Sequence, residues 1–154
     1  METQPIPTYL FAFAAGAFQV ETAERNGRTY RMFHRETDAR KVERNRDDAF
    51  DLHASALGWL EDYTAIEYPF EKFDFVLIPS FQFGGMEHPG AIFYNQASLL
   101  LDESATENRM LGRASVIAHE TAHMWFGDLV TMAWWNDLWL NESFASWIGD
   151  KAID

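Results

Sequence analysis

Alternating apolar and polar residues in the first fifth of the chain are typical of β-strands. The apolar run Tyr9–Ala15 predicts a buried strand, and Gly16 marks a bend after it. Residues 18–22 and 29–33 alternate apolar and polar side chains, which is the period of a half-buried strand. The intervening pair Asn26-Gly27 is a strong signal for a tight turn. The sequence therefore predicts an entry strand followed by a β-hairpin.

The middle of the chain changes from charged to apolar patterning. Residues 35–48 carry many charges of both signs, which is typical of either a solvated connection or the first turns of a helix. Apolar residues then recur at helical spacing, so a helix is predicted over residues 47–65. Short apolar runs predict strands at 73–78 and 91–94, and the pair Gly84-Gly85 between them predicts a flexible or tightly turned loop.

Two helices are predicted in the last third of the chain. Ser104 and Glu107 have the spacing of a capping box at a helix start, and Gly127 is a stop signal for that helix. A final helix is predicted over residues 136–153, with one of its first two residues as the N-cap. Since strands and helices do not alternate regularly, the predicted fold class is α+β.

Composition excludes several classes of protein. The chain has 154 residues, about one domain by the usual length prior. It carries 24 Asp and Glu against 12 Lys and Arg, a net charge of −12, which disfavours nucleic acid as a partner. It contains no Cys, which excludes disulfides and Cys-ligated metal sites. It also has no uncharged apolar run long enough to span a membrane.

The stretch His119-Glu120-Thr121-Ala122-His123 carries the candidate chemistry. Residues four apart lie on one face of a helix, so both imidazoles can bind one metal ion. Glu120 projects roughly 100° around the helix from His119, beside the metal rather than on it. A catalytic zinc takes three protein ligands, and Glu142 on the next predicted helix supplies a carboxylate. We therefore predict one Zn²⁺ held by His119, His123 and Glu142, with Glu120 as general base.

Other candidate residues have simpler interpretations. His34 and His53 are interpreted as structural or surface groups. Asp128 and Asp137 are candidate hydrogen-bond partners of the ligand imidazoles, although a capping or surface role is favoured for both. Five tryptophans are interpreted as core around the two site helices: Trp125, Trp134, Trp135, Trp139 and Trp147.

Three motifs together resemble the M1 family of zinc aminopeptidases, in the gluzincin clan. The zinc motif is followed by an 18-residue spacer and by Glu142 within Trp139–Ala145, where Ser143 stands in place of the family's usual Gly. The loop Gly84-Gly85-Met86-Glu87-His88 resembles the family motif Gly-x-Met-Glu-Asn, with His88 in place of Asn. The resemblance covers the chain from Tyr9 onward.

The resemblance implies a fold and a set of roles. Residues 1–18 would be the end of a preceding β domain with its entry strand, and residues 19–154 the N-terminal half of a thermolysin-like catalytic domain. Glu87 would bind the α-amino group of the substrate, and Gly84, Gly85 and Met86 would line the substrate backbone. The implied substrates are peptides with a free N-terminus. The implied activity is removal of the N-terminal residue.

The resemblance also implies a parent several times longer, with the rest of its domains as partners of this segment. We therefore expect a fragment that binds zinc but has little or no activity alone. The alternatives are a thermolysin-type endopeptidase, which Glu87 argues against, a bifunctional enzyme like leukotriene A4 hydrolase, and a zinc-stabilised non-catalytic module. No signal peptide is recognisable, which favours the cytoplasm and leaves a periplasmic or membrane-anchored parent open.

Overall fold

A mixed sheet packed on helices forms the body of the molecule. The structure, a computed structural model, describes residues 5–153. Within them lie five strands and four α-helices, which are β1 Gln19–Arg25, β2 Arg28–His34, α1 Ala39–Thr64, β3 Phe73–Ile78, β4 Gly85–Met86, β5 Ile92–Asn95, α2 Gln96–Leu99, α3 Glu107–His123 and α4 Leu138–Ile153. The strand order is β1-β2-β3-β5-β4, antiparallel at both ends and parallel in the middle. The predicted α+β class is confirmed.

The predicted hairpin is confirmed, and its turn has the geometry that the sequence requires. Asn26 and Gly27 have φ angles of 52° and 75°. Positive φ at both central residues matches the right-handed twist of the strands on either side. The turn leaves Arg25 opposite Arg28 at the end of the ladder. The predicted strand at 73–78 is also confirmed, and as β3 it lies at the centre of the sheet.

Helix α1 begins earlier than its apolar pattern indicates. The Asp38 side chain accepts hydrogen bonds from the backbone N–H of Arg40 at 3.0 Å and of Lys41 at 3.3 Å. This N-cap satisfies two of the free amides of the first turn. The charged stretch therefore forms the first turns of the helix, one of the two alternatives above, and the predicted start at Asp47 is wrong.

The predicted strand over Tyr9–Ala15 is wrong. Pro7, with φ −58°, precedes a single 3₁₀ turn at Thr8–Leu10, and no strand follows before β1 in the described residues. Leu10 is buried, but Phe11 and Phe13 are 73% and 79% exposed. None of the five strands pairs with this apolar run, so its backbone has no ladder hydrogen bonds to make it a strand.

Helix ends in the last third also differ from expectation. The N-cap of α3 is Thr106, so the predicted capping box of Ser104 and Glu107 is wrong. Residues 102–105 form a turn in which the backbone N–H of Ala105 donates to the Asp102 carbonyl, and the helix begins only after this turn. The two predicted cap residues of the final helix lie in a 3₁₀ turn, Trp135–Asp137, and α4 begins at Leu138.

Short connections flank β5 on both sides, and one of them contains a strand that the sequence does not predict. The predicted strand at 91–94 is β5, and the chain turns directly from it into α2. The predicted Gly84-Gly85 loop contains the two-residue strand β4, which pairs with the edge of β5. This pairing gives the Gly-rich loop a fixed position beside the helices.

The core lies between the sheet and the helices, and it is rich in aromatic side chains. Its largest fully buried members include Tyr30, Phe50, Phe73, Phe75, Tyr94 and Trp125. His53 is buried among them, as a structural histidine. The core assignment is confirmed for Trp125 and wrong for four tryptophans, which are exposed: Trp134, Trp135, Trp139 and Trp147. Only one side of α4, with Ala145, Ile148 and Gly149, is fully buried, so Trp139 and Trp147 face outward.

None of the helices in the described part of the chain is both long and apolar enough to cross a membrane.

Candidate metal centre and active site

Helices α3 and α4 bring three of the sequence-predicted residues together. The Nε2 atoms of His119 and His123 lie 3.0 Å apart. The Glu142 Oε2 atom lies 3.6 Å from the first and 3.7 Å from the second. Gly149 makes this approach of the helices possible, because a Cβ there would lie 3.1 Å from the His119 backbone nitrogen.

The donor set fits a zinc ion. Tetrahedral zinc with ligands at about 2.0–2.1 Å separates two ligand atoms by about 3.3 Å, close to the spacing of the imidazole nitrogens. The His123 Nδ1 donates to the Phe126 carbonyl at 3.0 Å, which leaves the lone pair on Nε2. The His119 Nδ1 lies 3.3 Å from the Ser146 hydroxyl. Both rings therefore turn Nε2 toward the Glu142 carboxylate.

The candidate partners Asp128 and Asp137 make no hydrogen bond to these imidazoles in the described residues, and the capping or surface role favoured for Asp128 is wrong, because its side chain is buried. Phe126 and Ser146 make those hydrogen bonds instead. The Asp128 carboxylate is buried without a hydrogen-bond partner in the described part of the chain. Burial, together with the nearby Glu87 charge, raises the pKa of Asp128 to about 9, so this carboxyl is protonated at neutral pH.

The charges at the centre favour a cation. The neighbouring imidazoles of His119 and then His123 hold the pKa of Glu142 well below its usual range. Burial lowers the pKa of His123, but the adjacent Glu142 carboxylate and the charges of the surrounding acids raise it overall, to about 9. The attraction that holds a proton on this imidazole would equally attract a divalent metal ion.

Glu120 is buried beside the ligands and lies against the Gly-rich loop. A Cβ at Gly85 would overlap the Glu120 carboxylate, so the absence of a side chain at Gly85 makes room for it. Burial raises the pKa of Glu120 to about 8, against the lowering effect of a charged His123. A carboxyl with a pKa near neutrality can both accept and release a proton at neutral pH.

Glu87 follows β4 directly, and its carboxylate reaches the same centre. It is buried, and its carboxylate lies within 4.8 Å of the ligand atoms of His123 and Glu142. The backbone of the Gly-rich loop is fixed by the backbone N–H of Asn95, which donates to the Gly84 carbonyl at 2.9 Å. Pairing of Met86 with Phe93 of β5 holds its other end. The loop thus presents one buried acid to the candidate metal ligands.

Two further residues of the site, Tyr9 and Asn141, are not among those that the sequence predicts to belong to it. The Tyr9 hydroxyl donates to Glu87 Oε1 at 3.1 Å. The Asn141 amide donates to the same oxygen at 3.5 Å and to Glu142 Oε1 at 3.4 Å. Asn141 adjoins a predicted ligand, which is a signal that could have been used. Nothing in the local pattern distinguishes Tyr9.

Comparison with known proteins gives a consistent result. A sequence profile described as "Peptidase family M1 domain" matches residues 48–154. "Probable aminopeptidase 2" of Sulfurisphaera tokodaii is 50% identical over 105 residues, which is 68% of this chain. "Aminopeptidase N" of Lactococcus lactis is 42% identical over 94% of this chain, and the "Puromycin-sensitive aminopeptidase" of Caenorhabditis elegans is 41% identical over 92%.

The chain is short beside these relatives. It spans 13% of the Sulfurisphaera tokodaii protein, 17% of the Lactococcus lactis protein and 15% of the Caenorhabditis elegans protein. The similarity therefore concerns one segment of much longer proteins, the segment that contains the centre described above.

Proposed function

The chain belongs to peptidase family M1, and from that premise we propose that it forms the zinc-binding part of an aminopeptidase. The observation that carries the proposal is the convergence of two imidazoles and three carboxylates. His119, His123 and Glu142 form a ligand set, and Glu120 and Glu87 lie beside it. The names of the relatives support the same activity.

His119, His123 and Glu142 would hold the zinc ion. When bound, zinc supplies a Lewis acid that polarises the scissile carbonyl and lowers the pKa of water. The Phe126 carbonyl and the Ser146 hydroxyl would keep the two imidazoles oriented. Asn141, which donates to Glu142, would restrain the third ligand.

Glu120 would act as the general base. Its carboxylate takes a proton from the attacking water and passes it to the amine that leaves. The close approach of Gly85 to its carboxylate and the burial of its side chain support this role, because both fix the position of the carboxylate and exclude bulk water from it.

Glu87 would bind the α-ammonium group of the substrate by a charge-assisted hydrogen bond. Its carboxylate lies within 4.8 Å of the ligand atoms of His123 and Glu142. An ammonium held there places only the first peptide bond at the metal. This contact would restrict the enzyme to the N-terminal residue, and it favours an aminopeptidase over an endopeptidase.

The proposal is tested by Glu120→Gln in the full-length protein. We expect zinc content, measured by metal analysis, to stay at one ion, because Glu120 is not a ligand. Hydrolysis of an aminoacyl anilide should fall about 10²- to 10⁴-fold, since the general base is lost. The isolated 154-residue chain is expected to bind zinc with little turnover.

Glu142→Gln is the matched control, since it makes the same chemical change at a ligand. It should lower zinc content as well as activity. Full activity in the Glu120 variant would contradict the general-base role, and full zinc occupancy in the Glu142 variant at limiting zinc would contradict the ligand set.

A further inference from the structure

The turn Thr8–Leu10 reaches across the molecule to the Gly-rich loop. Tyr9 and Glu87 are 78 positions apart in sequence, yet the Tyr9 hydroxyl donates to Glu87 Oε1 at 3.1 Å. The Tyr9 ring also packs edge-on against Trp135, with ring centroids 5.3 Å apart. The tyrosine is thus held at both its ring and its hydroxyl.

A second hydrogen bond, between His88 and Leu10, also holds the turn against the loop. The His88 Nδ1 donates to the Leu10 carbonyl at 3.1 Å, and the Leu10 side chain is buried. His88 packs edge-on against Phe93 of the sheet, with ring centroids 4.8 Å apart. Two consecutive residues of the turn are therefore bonded to two consecutive residues of the loop. His88, which stands where the family motif usually has Asn, therefore has a structural role in holding this turn.

The hydrogen bonds to Glu87 are directed to one side of its carboxylate. Among the described residues its donors are Tyr9 and Asn141, and both donate to Oε1. Burial, and next the Glu87 charge, raise the pKa of the Tyr9 phenol above its ordinary value, so it remains a donor at neutral pH. Because Oε1 is held in this way, Oε2 is left to accept from another donor.

We propose that Tyr9 is a positioning residue that orients Glu87 for the α-ammonium group of the substrate, and that His88 anchors the turn that carries it. The inference rests on the proposed function, because it concerns the same amine contact. Tyr9 acts through Glu87: among the described residues its hydroxyl bonds to Glu87 and Met86, and to none of the three candidate metal ligands. It also makes the Thr8–Leu10 turn part of the site.

The test compares two zinc-binding ligands that differ only in the amine. L-Leucine hydroxamate carries the α-amino group, and isocaproic hydroxamate lacks it. Calorimetric titration of the zinc-loaded protein gives the ratio of their dissociation constants. This ratio measures amine recognition separately from metal binding and needs no catalytic turnover.

Tyr9→Phe removes only the hydroxyl and keeps the ring against Trp135. We expect it to reduce the amine preference about 5- to 10-fold, because the hydrogen bond to a charged group is lost. Tyr63→Phe is the matched control on the exposed side of α1, and it should leave the ratio unchanged. Glu87→Gln should reduce the preference furthest.

The outcomes separate this inference from the proposed function. If the wild-type protein does not prefer the amine-bearing ligand, the proposed amine recognition by Glu87 is wrong, and the proposed role of Tyr9 is wrong as well. If the wild-type protein prefers the amine and Tyr9→Phe keeps the full preference, only the role of Tyr9 is overturned. Equal weakening of both ligands would likewise overturn it, because it would indicate a structural role alone.

Discussion

Single residues at this site matter for the space they leave as well as for the groups they bring. Gly85 pairs with Tyr94 at the edge of the sheet and has no side chain toward α3. The Glu120 carboxylate occupies the place that a Cβ would take. The Gly-rich loop and the zinc motif are therefore coupled by a steric requirement, in addition to their shared chemistry.

We predict that Gly85→Ala displaces Glu120 while the metal ligands stay in place. Since a misplacement of about 1 Å can cost about 100-fold in rate, kcat should fall by roughly 10- to 100-fold. Zinc content should be unchanged. Steady-state kinetics and metal analysis of the full-length protein measure the two effects.

Gly58→Ala, in α1 and away from the site, is the control for this substitution. Nothing lies within 4 Å of a Cβ at Gly58, so this variant should keep kcat within about 3-fold of the wild type. Equal loss of kcat in both variants would contradict the specific conflict between a side chain at position 85 and Glu120.

At the scale of elements, the centre depends on how closely α4 packs on α3. Gly149 of α4 faces the backbone of His119, where a Cβ would lie 3.1–3.3 Å from three backbone atoms. The side chains on the same side of α4, Ala145 and Ile148, are fully buried. The third ligand reaches the two imidazoles only because these helices lie this close together.

We predict opposite effects of two Gly→Ala substitutions in these helices. Gly149→Ala should lower the free energy of unfolding by about 1–2 kcal/mol, because the backbone of α3 must move away. It should also weaken zinc binding, since Glu142 moves with α4. Urea denaturation and zinc titration provide the measurements.

Gly112→Ala, in α3, is the matched control, because nothing lies within 4 Å of a Cβ at that position. Alanine is the better helix former by roughly 0.5–1 kcal/mol, so this variant should be more stable than the wild type. If Gly149→Ala is as stable as Gly112→Ala, the contact between Gly149 and the α3 backbone does not exclude a side chain, and the prediction is wrong.

At the scale of the whole molecule, the buried His53 in the aromatic core makes stability depend on pH. His53 stacks on Phe75, with ring centroids 4.1 Å apart. Its Nδ1 donates to the Ala49 carbonyl at 2.7 Å and its Nε2 accepts from the Tyr94 hydroxyl at 3.1 Å. Both contacts suit the neutral ring, and burial lowers the pKa of His53 from 6.5 to about 4.

We predict that His53 makes the fold less stable in acid. The unfolded chain binds the proton near pH 6.5 and the folded chain only near pH 4, so the free energy of unfolding falls as the pH decreases through that window. The loss between about pH 7 and about pH 5 is about 2 kcal/mol. Urea denaturation at both values measures it.

The contribution of His53 is isolated by comparison with His53→Gln. Other buried acids titrate in both proteins and cancel in the difference between their pH profiles. His53→Gln should have a lower free energy of unfolding than the wild type at neutral pH. Between about pH 7 and about pH 5 its free energy of unfolding should fall by about 2 kcal/mol less than that of the wild type. Parallel profiles for the two proteins would show that His53 does not cause it.

The sequence by itself determined the parts of the molecule that depend on neighbouring residues. The Asn26-Gly27 turn and the β3 strand are set by local backbone preference and by short-range patterning. The spacing of His119 and His123 requires only one helix, and the helix α3 provides it. For the same reason the motifs sufficed to indicate the family.

Only the tertiary structure decided which distant segments meet. The four exposed tryptophans and the unpaired Tyr9–Ala15 segment have the composition of core, yet within the described residues only Leu10 among them is fully buried. Tyr9 reaches Glu87 because the first turn, the edge of the sheet and α4 converge at one place. Such contacts join residues far apart in sequence, and they depend on the packing of whole elements, which local periodicity does not encode.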